Sequence, residues 1–239
     1  MKAAGRLIVD DALEGAINMA LDEALLDLRR IPTLRFYRWL RPTLSLGYFQ
    51  KTDDIDMKSA RERGYDLVRR STGGKAILHQ HELTYSLCAP EIGALSGGPA
   101  AAMAAVHTAI AAELSVQSSK DVYIRHQRNL FSDKNGSSWC FEDSSPLDIC
   151  LEQKKLLGSA ARRQQGWILF HGSLVLQIPT ENPDVAELGF EPDLHAVNSR
   201  LADALEIDFQ AGDWDISEQT LAASIARQKY AADDFLYKR

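Results

Sequence analysis

The sequence predicts an α+β fold: a mixed, largely antiparallel sheet with helices packed on it. Three observations carry this. Apolar runs of period two and apolar stripes of period 3.6 both occur along the chain. They follow one another without the strict strand–helix alternation of a parallel α/β fold. The 239 residues, 45% of them hydrophobic, suffice for one large core, or for one domain with a small lobe. There is no internal repeat and no low-complexity tract.

Each element has its own signal. Residues 13–29 read as an amphipathic helix, with Ile17, Leu21, Ala24, Leu25 and Leu28 on one stripe. Residues 34–38 and 44–49 read as strands on either side of a turn at Arg41-Pro42. A short helix over 56–63 and a strand over 66–70 lead into the turn Thr72-Gly73-Gly74. Ala76-Ile77-Leu78 and the alternating stretch Glu82–Leu87 follow, then an alanine-rich helix over 98–115 and a strand over 121–125. Residues 127–138 are polar and turn-rich, the composition of a mobile surface loop. Strands are expected at 147–151, 155–161 and 167–177, and helices at 194–204 and 216–229. Asp215 followed by Glu218 is a capping-box start for the last helix.

Composition excludes several function classes. A net charge of −6 argues against general nucleic-acid binding. No apolar run approaches the roughly 20 residues of a membrane helix, and the first residues lack the core of a secretory signal. The expectation is a cytoplasmic protein with neither nucleic-acid nor membrane partners. The three cysteines, Cys88, Cys140 and Cys150, fit no zinc-binding spacing and no disulfide framework, so no metal site is expected.

Three stretches could carry chemistry. The first runs from Arg69-Arg70 through Thr72-Gly73-Gly74-Lys75 to His79. Its glycines allow positive φ and close approach of a ligand to backbone N–H groups, although a plain hairpin turn has the same spacing. The second is Lys154-Lys155-Leu156-Leu157-Gly158-Ser159-Ala160, then Arg162-Arg163, then His171-Gly172-Ser173-Leu174. It reads either as a strand placing an ammonium in a cleft or as a surface strand with solvated lysines. The third is Cys140, between Trp139 and Phe141, either a nucleophilic thiol or a buried structural one.

In this order the three stretches resemble the biotin/lipoate protein ligase and octanoyltransferase superfamily. The pattern RRxTGGxAxxH, then K-L-x-G-S-A, then H-G-S-L is its signature. Asn18–Ala24, Thr43–Gln50 and Glu82–Ser86 look like further segments of that group. The resemblance covers about residues 5–180. It implies a biotin/lipoate ligase catalytic-domain-like fold: a single catalytic domain over 1–239, with a core at about 5–180 and a helical C-terminal tail at 181–239. Lys75, where ligases carry a third glycine, resembles the transferases. So does Cys140, in a segment like the C-F-x-x-P-S of cysteine-dependent octanoyltransferases, although Pro146 lies two positions late and Gln80 replaces the usual Asp. The short tail also favours a transferase.

The resemblance implies an octanoyl-[acyl carrier protein]:protein N-octanoyltransferase with Cys140 as nucleophile and Lys155 beside the reacting carbonyl. Arg70, Thr72, Gly73, Gly74, Lys75, His79, Gly158, Ser159 and Ala160 are the implied substrate-binding residues, and His171 supports the strand of Lys155. Cys88 and Cys150 are expected in the core. The implied partners are acyl carrier protein and a lipoyl domain of a 2-oxoacid dehydrogenase or the glycine-cleavage H protein, with no cofactor. Seven cations from the motifs, Arg69, Arg70, Lys75, Lys154, Lys155, Arg162 and Arg163, are expected to form a basic patch for acidic partners. The alternatives are an ATP- and Mg-dependent lipoate ligase with a separate accessory subunit, an amidotransferase between protein domains, and a noncatalytic binding protein that has kept the acyl pocket.

Overall fold

The computed structural model describes residues 2–126, 130–134, 136–179 and 182–238. Eight strands form the main sheet, in spatial order β11-β1-β2-β6-β10-β9-β8-β7. They are β1 (Ala3–Leu13), β2 (Thr33–Trp39), β6 (Glu82–Pro90), β7 (Val122–Ile124), β8 (Ile149–Leu151), β9 (Lys154–Gln164), β10 (Trp167–Val175) and β11 (Ile207–Ala211). Strand β1 is parallel to both β2 and β11, and the other five pairings are antiparallel. A second sheet of β3 (Thr43–Leu46), β4 (Asp66–Arg69) and β5 (Ile77–His79) has order β4-β3-β5. The expected mixed, largely antiparallel sheet is the one observed.

The period-two pattern of the central strands sorts two buried faces. Leu34 and Phe36 of β2, Leu83, Tyr85 and Leu87 of β6, and Ile168, Phe170 and Leu174 of β10 share one apolar core with α3 (Pro99–Ser118) and α4 (Leu194–Leu205). The alternate residues, Arg35, Tyr37, Thr84, Ser86, His171 and Ser173, are buried on the other face. Helix α1 (Gly15–Leu28) covers that side, together with α5 (Ile216–Ile225). A polar face survives burial only if its groups are paired. Arg35 Nε reaches Asp10 at 2.6 Å, its two terminal nitrogens reach Asp22 and Asn18, and Tyr37 and Ser86 also donate to Asp22. Asn18, Asp22 and Glu23 of the motif helix are therefore interior polar anchors.

Several expectations need correction. The tail is more than helical: β11 lies beside β1 and extends the sheet. Strand β1 itself carried no signal strong enough to read, because Arg6, Asp10 and Asp11 break its alternation. The helix expected to reach residue 229 ends at Ile225 and continues as a π-helical turn, Ala226–Tyr230, before a last short helix, α6 (Asp233–Leu236). The capping box is present at Asp215 and Glu218. In the expected mobile loop, residues 127–129 and 135 lie outside the described residues. Leu130 and Ser132 are buried, so these parts of the loop pack inward. Between β3 and β4 in the chain, α2 (Met57–Glu62) packs on the small sheet. By length and composition α3 could cross a membrane, against the expectation that no apolar run approaches that length. Here its Ala102, Val106, Ala109, Ile110 and Leu114 pack into the core.

Candidate active site

The glycine turn is shaped by buried arginines. Arg70 donates to the carbonyl and hydroxyl of Ser45 and, on its other nitrogen, to the carbonyls of Gly73 and Lys75. Gly74 takes φ +98°, where a side chain is strained. Gly47, at the end of β3, lies so near that a Cβ there would fall 1.7 Å from the Gly74 carbonyl oxygen. Arg69 ties the carbonyls of Gly47 and Gln50 to that of Leu236 in the tail. Thr72 is held from behind by His171 Nε2 at 2.6 Å.

The cysteine segment docks on this turn through backbone bonds. Ala76 N–H donates to Ser138 O, and Cys140 N–H donates to Ala76 O at 2.8 Å. Lys75 Nζ adds bonds to Ser137 O and Asp143, and Gln50 donates to Ser138 O. Cys140 opens a 3₁₀ turn, Cys140–Glu142. The turn is steadied by Glu142, which accepts from Lys134 and Ser137.

Lys155 arrives from β9 and is 1% exposed. Its ammonium donates to Asp148 Oδ2 at 2.8 Å and to the Cys140 carbonyl at 2.8 Å, and lies 3.5 Å from Cys140 Sγ. Burial alone would lower its pKa, but the Asp148 carboxylate, then Cys140, push it above the ordinary lysine value, so it stays charged. The other two thiols are suppressed: burial pushes Cys150 up to about 12 and Cys88 higher still.

Cys140 opens onto a cleft. Gly73, Gly74 and Arg70 form one wall, and Gly158, Ser159 and Ala160 another. Met19, Tyr37, Trp39 and Ile77 supply apolar surface. His79 lines the cleft with its imidazole stacked on Trp39 at 3.9 Å, bonded to Glu82 through Nδ1 and to Ser45 through Nε2. Burial lowers its pKa even against Glu82, so the ring is neutral at neutral pH. An apolar cleft with a cation-paired thiol at its wall suits a hydrocarbon acyl chain whose carbonyl reacts at sulfur.

The implied site residues thus divide. Cys140, Arg70, Gly73, Gly74, His79, Gly158, Ser159 and Ala160 line one cleft, with Lys155 touching the sulfur. Thr72 and Lys75 hold the loops that form the wall and do not line the cleft. His171 lies opposite Ala160 on the strand beside that of Lys155, and its ring also supports the glycine turn through Thr72. The basic patch is corrected. Arg69, Arg70 and Lys155 are buried, Lys75, Arg162 and Arg163 are paired with Asp143, Glu23 and Glu91, and Lys154 is half-buried. Sequence reasoning missed Asp148, Met19, Tyr37 and Trp39. Asp148 reads as an ordinary turn residue before the apolar run Ile149–Leu151. The others looked like ordinary core residues.

Residues 14–184 match the lipoyl protein ligase A/B catalytic domain family. The octanoyltransferase LipM of Brevibacillus brevis is 32% identical over 285 aligned positions, which take in 98% of this chain and 99% of that protein. Among solved structures, a putative lipoate protein ligase from T. acidophilum superposes with a TM-score of 0.80 at 22% identity, covering 99% of this chain and all of that one. A bi-partite lipoate protein ligase from Thermoplasma acidophilum, studied with its E2 lipoyl domain, gives a TM-score of 0.76 at 21% identity, over 98% of this chain and 96% of that one. At such identities the two structures speak for the fold alone.

Proposed function

The chain belongs to the lipoyl protein ligase A/B catalytic domain family, and on that premise we propose that it moves an octanoyl group from acyl carrier protein to a protein lysine through a thioester on Cys140. It is an acyltransferase, an octanoyltransferase like its full-length relative. The observation that carries the covalent reading is the Lys155 ammonium 3.5 Å from the Cys140 sulfur at the wall of an apolar cleft.

In the first half-reaction the Cys140 thiolate attacks the carbonyl carbon of the donor thioester. The carbon–sulfur bond to Cys140 forms, the bond to the donor sulfur breaks, and the donor thiolate takes a proton from water. In the second, an acceptor lysine attacks the same carbon as its free amine. The amide bond forms, the Cys140 thiolate departs towards Lys155, and the nitrogen gives its extra proton to solvent. Thioester exchange is nearly isoenergetic and aminolysis runs downhill, so neither step requires ATP. Lys155 also stabilises the developing oxyanion. Gly73, Gly74 and Gly158 bring backbone close to the acyl group. The acceptor is a lipoyl domain or the glycine-cleavage H protein, in keeping with the E2 lipoyl domain studied with the Thermoplasma ligase. The reaction belongs to the cytoplasm, where both partners reside.

The donor assay tests this. Octanoyl-acyl carrier protein without ATP should octanoylate H protein, and Cys140→Ala should abolish transfer. Transfer that needs free lipoate and ATP, and survives Cys140→Ala, identifies a ligase instead.

A further inference from the structure

A lysine ammonium has three N–H donors, and at Lys155 there are three acceptors: Asp148 Oδ2, the Cys140 carbonyl oxygen and Cys140 Sγ. Two of these stay the same through the reaction, and the third does not. As a thiolate, Sγ is an anionic acceptor. Once acylated it is a neutral thioester sulfur and a poor one. The N–H that faced it is then released beside the acyl carbonyl attached to that sulfur. We propose that Asp148 is the positioning residue of the transfer: it clamps the Lys155 ammonium so that one N–H serves the thiolate in the first half-reaction and the acyl oxygen in the second. The role rests on the octanoyl-transfer reading above.

The surroundings of Asp148 are built for this. Its side chain is 3% exposed, and Oδ2 also accepts the Ser145 N–H at 2.7 Å. Its own N–H closes a turn onto Ser145 O across Pro146-Leu147, and Arg125 N–H donates to its carbonyl. The proline that comes two positions late in the sequence motif thus sits in the turn that aims the carboxylate. Gly158 leaves the room: a Cβ there would lie 2.6 Å from Lys155 Cε, 2.8 Å from Nζ and 3.3 Å from Asp148 Oδ1. The Phe141 ring, 5.4 Å from Nζ, closes the other side. A buried ammonium with a single, transient anionic partner would be poorly held. The permanent carboxylate keeps it charged and in place after Cys140 is acylated.

Single-turnover kinetics on the full-length protein test the role. The burst amplitude counts competent sites. One rate constant reports acylation of Cys140 by octanoyl-acyl carrier protein, the other transfer from octanoyl-Cys140 to H protein. In Asp148→Asn, which keeps shape and an acceptor oxygen but removes the charge, both rate constants should fall about tenfold or more at unchanged amplitude. Asp148→Glu should recover part of the loss. Unchanged rate constants in Asp148→Asn, or a loss confined to amplitude, would overturn the role and leave Asp148 a folding residue. Should Asp148→Asn not fold, Asp148→Glu decides: a displaced carboxylate slows both steps, and rates equal to those of the unmutated protein refute the proposal. If the unmutated protein forms no acyl-Cys140 at all, the transfer reading falls and this role with it, an outcome distinct from the others.

Discussion

At the scale of single residues, three cysteines of one chemical type have two fates, and their surroundings decide which. Cys140 faces an ammonium, while burial pushes the thiols of Cys88 and Cys150 up. Brief treatment of the native protein with iodoacetamide, read by peptide mass spectrometry, should modify Cys140 and spare the other two. Equal labelling of all three would contradict the burial described for Cys88 and Cys150. Gly158 is a second single-residue dependence. Gly158→Ala sets a methyl against the Lys155 side chain and should lower transfer about tenfold or more with the fold retained, as read by kinetics beside a thermal melt. These residues were unevenly legible in the sequence. Cys140, Lys155 and Gly158 stood out because reactive or small residue types sat in a recognisable order. Asp148 did not, because a lone aspartate before a strand is indistinguishable from an ordinary turn residue until Lys155 folds onto it. The basic patch failed for the converse reason. Formal charge counts Arg69, Arg70 and Lys155 as surface cations, whereas the fold uses them as interior hydrogen-bond donors.

At the scale of elements, loops from distant parts of the chain are fastened to one another, and the fastenings are polar. Glu23 of α1 accepts from Lys229 and from Tyr230 Oη in the π-helical turn, and Arg162 of β9 lies 3.7 Å from it. The tail is thereby pinned to the motif helix, and Leu236 O reaches Arg69 beneath the glycine turn. Glu23→Gln removes the charge that holds this strap and should reduce stability by about 1–3 kcal/mol, measured as a lower urea midpoint at unchanged slope. No shift of the midpoint would mean that the strap does not depend on Glu23. Periodicity made α1 and the central strands readable, and alanine-rich composition made α3 so. Strands β1 and β11 were not, because neither alternates cleanly and each is fixed by its neighbours in the sheet, β1 between β2 and β11, and β11 at the edge beside β1. The 44–49 strand was read too long for a similar tertiary reason: Gly47 leaves the strand to press against Gly74.

At the scale of the whole molecule, one face of the sheet is an apolar core and the other a buried polar network that supports the cleft. Such a network links stability to pH. Burial alone would raise the Asp22 and Glu82 carboxyls, but Arg35 and His79 respectively, with hydrogen-bond donors, hold both below the usual carboxylate range. A depressed carboxylate stabilises the fold above its unfolded pKa and loses that contribution as pH falls through its folded value. His79 and His107 are kept neutral by burial, so unfolding takes up protons there below about pH 6.5 as well. Both effects have the same sign. The urea midpoint should decline from neutral pH towards about pH 4, and a midpoint that rises on acidification would contradict the network. Alternation in β2, β6 and β10 marks two faces but cannot tell water from a covering helix, so the buried polar face is not legible in the sequence. The central claim is that this network and the two loops above it present Cys140 as an acyl carrier. The most direct measurement is the intact mass of the protein after incubation with octanoyl-acyl carrier protein in the absence of ATP. One octanoyl adduct is expected, located on Cys140, missing in Cys140→Ala and discharged by H protein onto its lysine. No adduct on the unmutated protein, together with transfer that persists in Cys140→Ala and demands ATP, would contradict it.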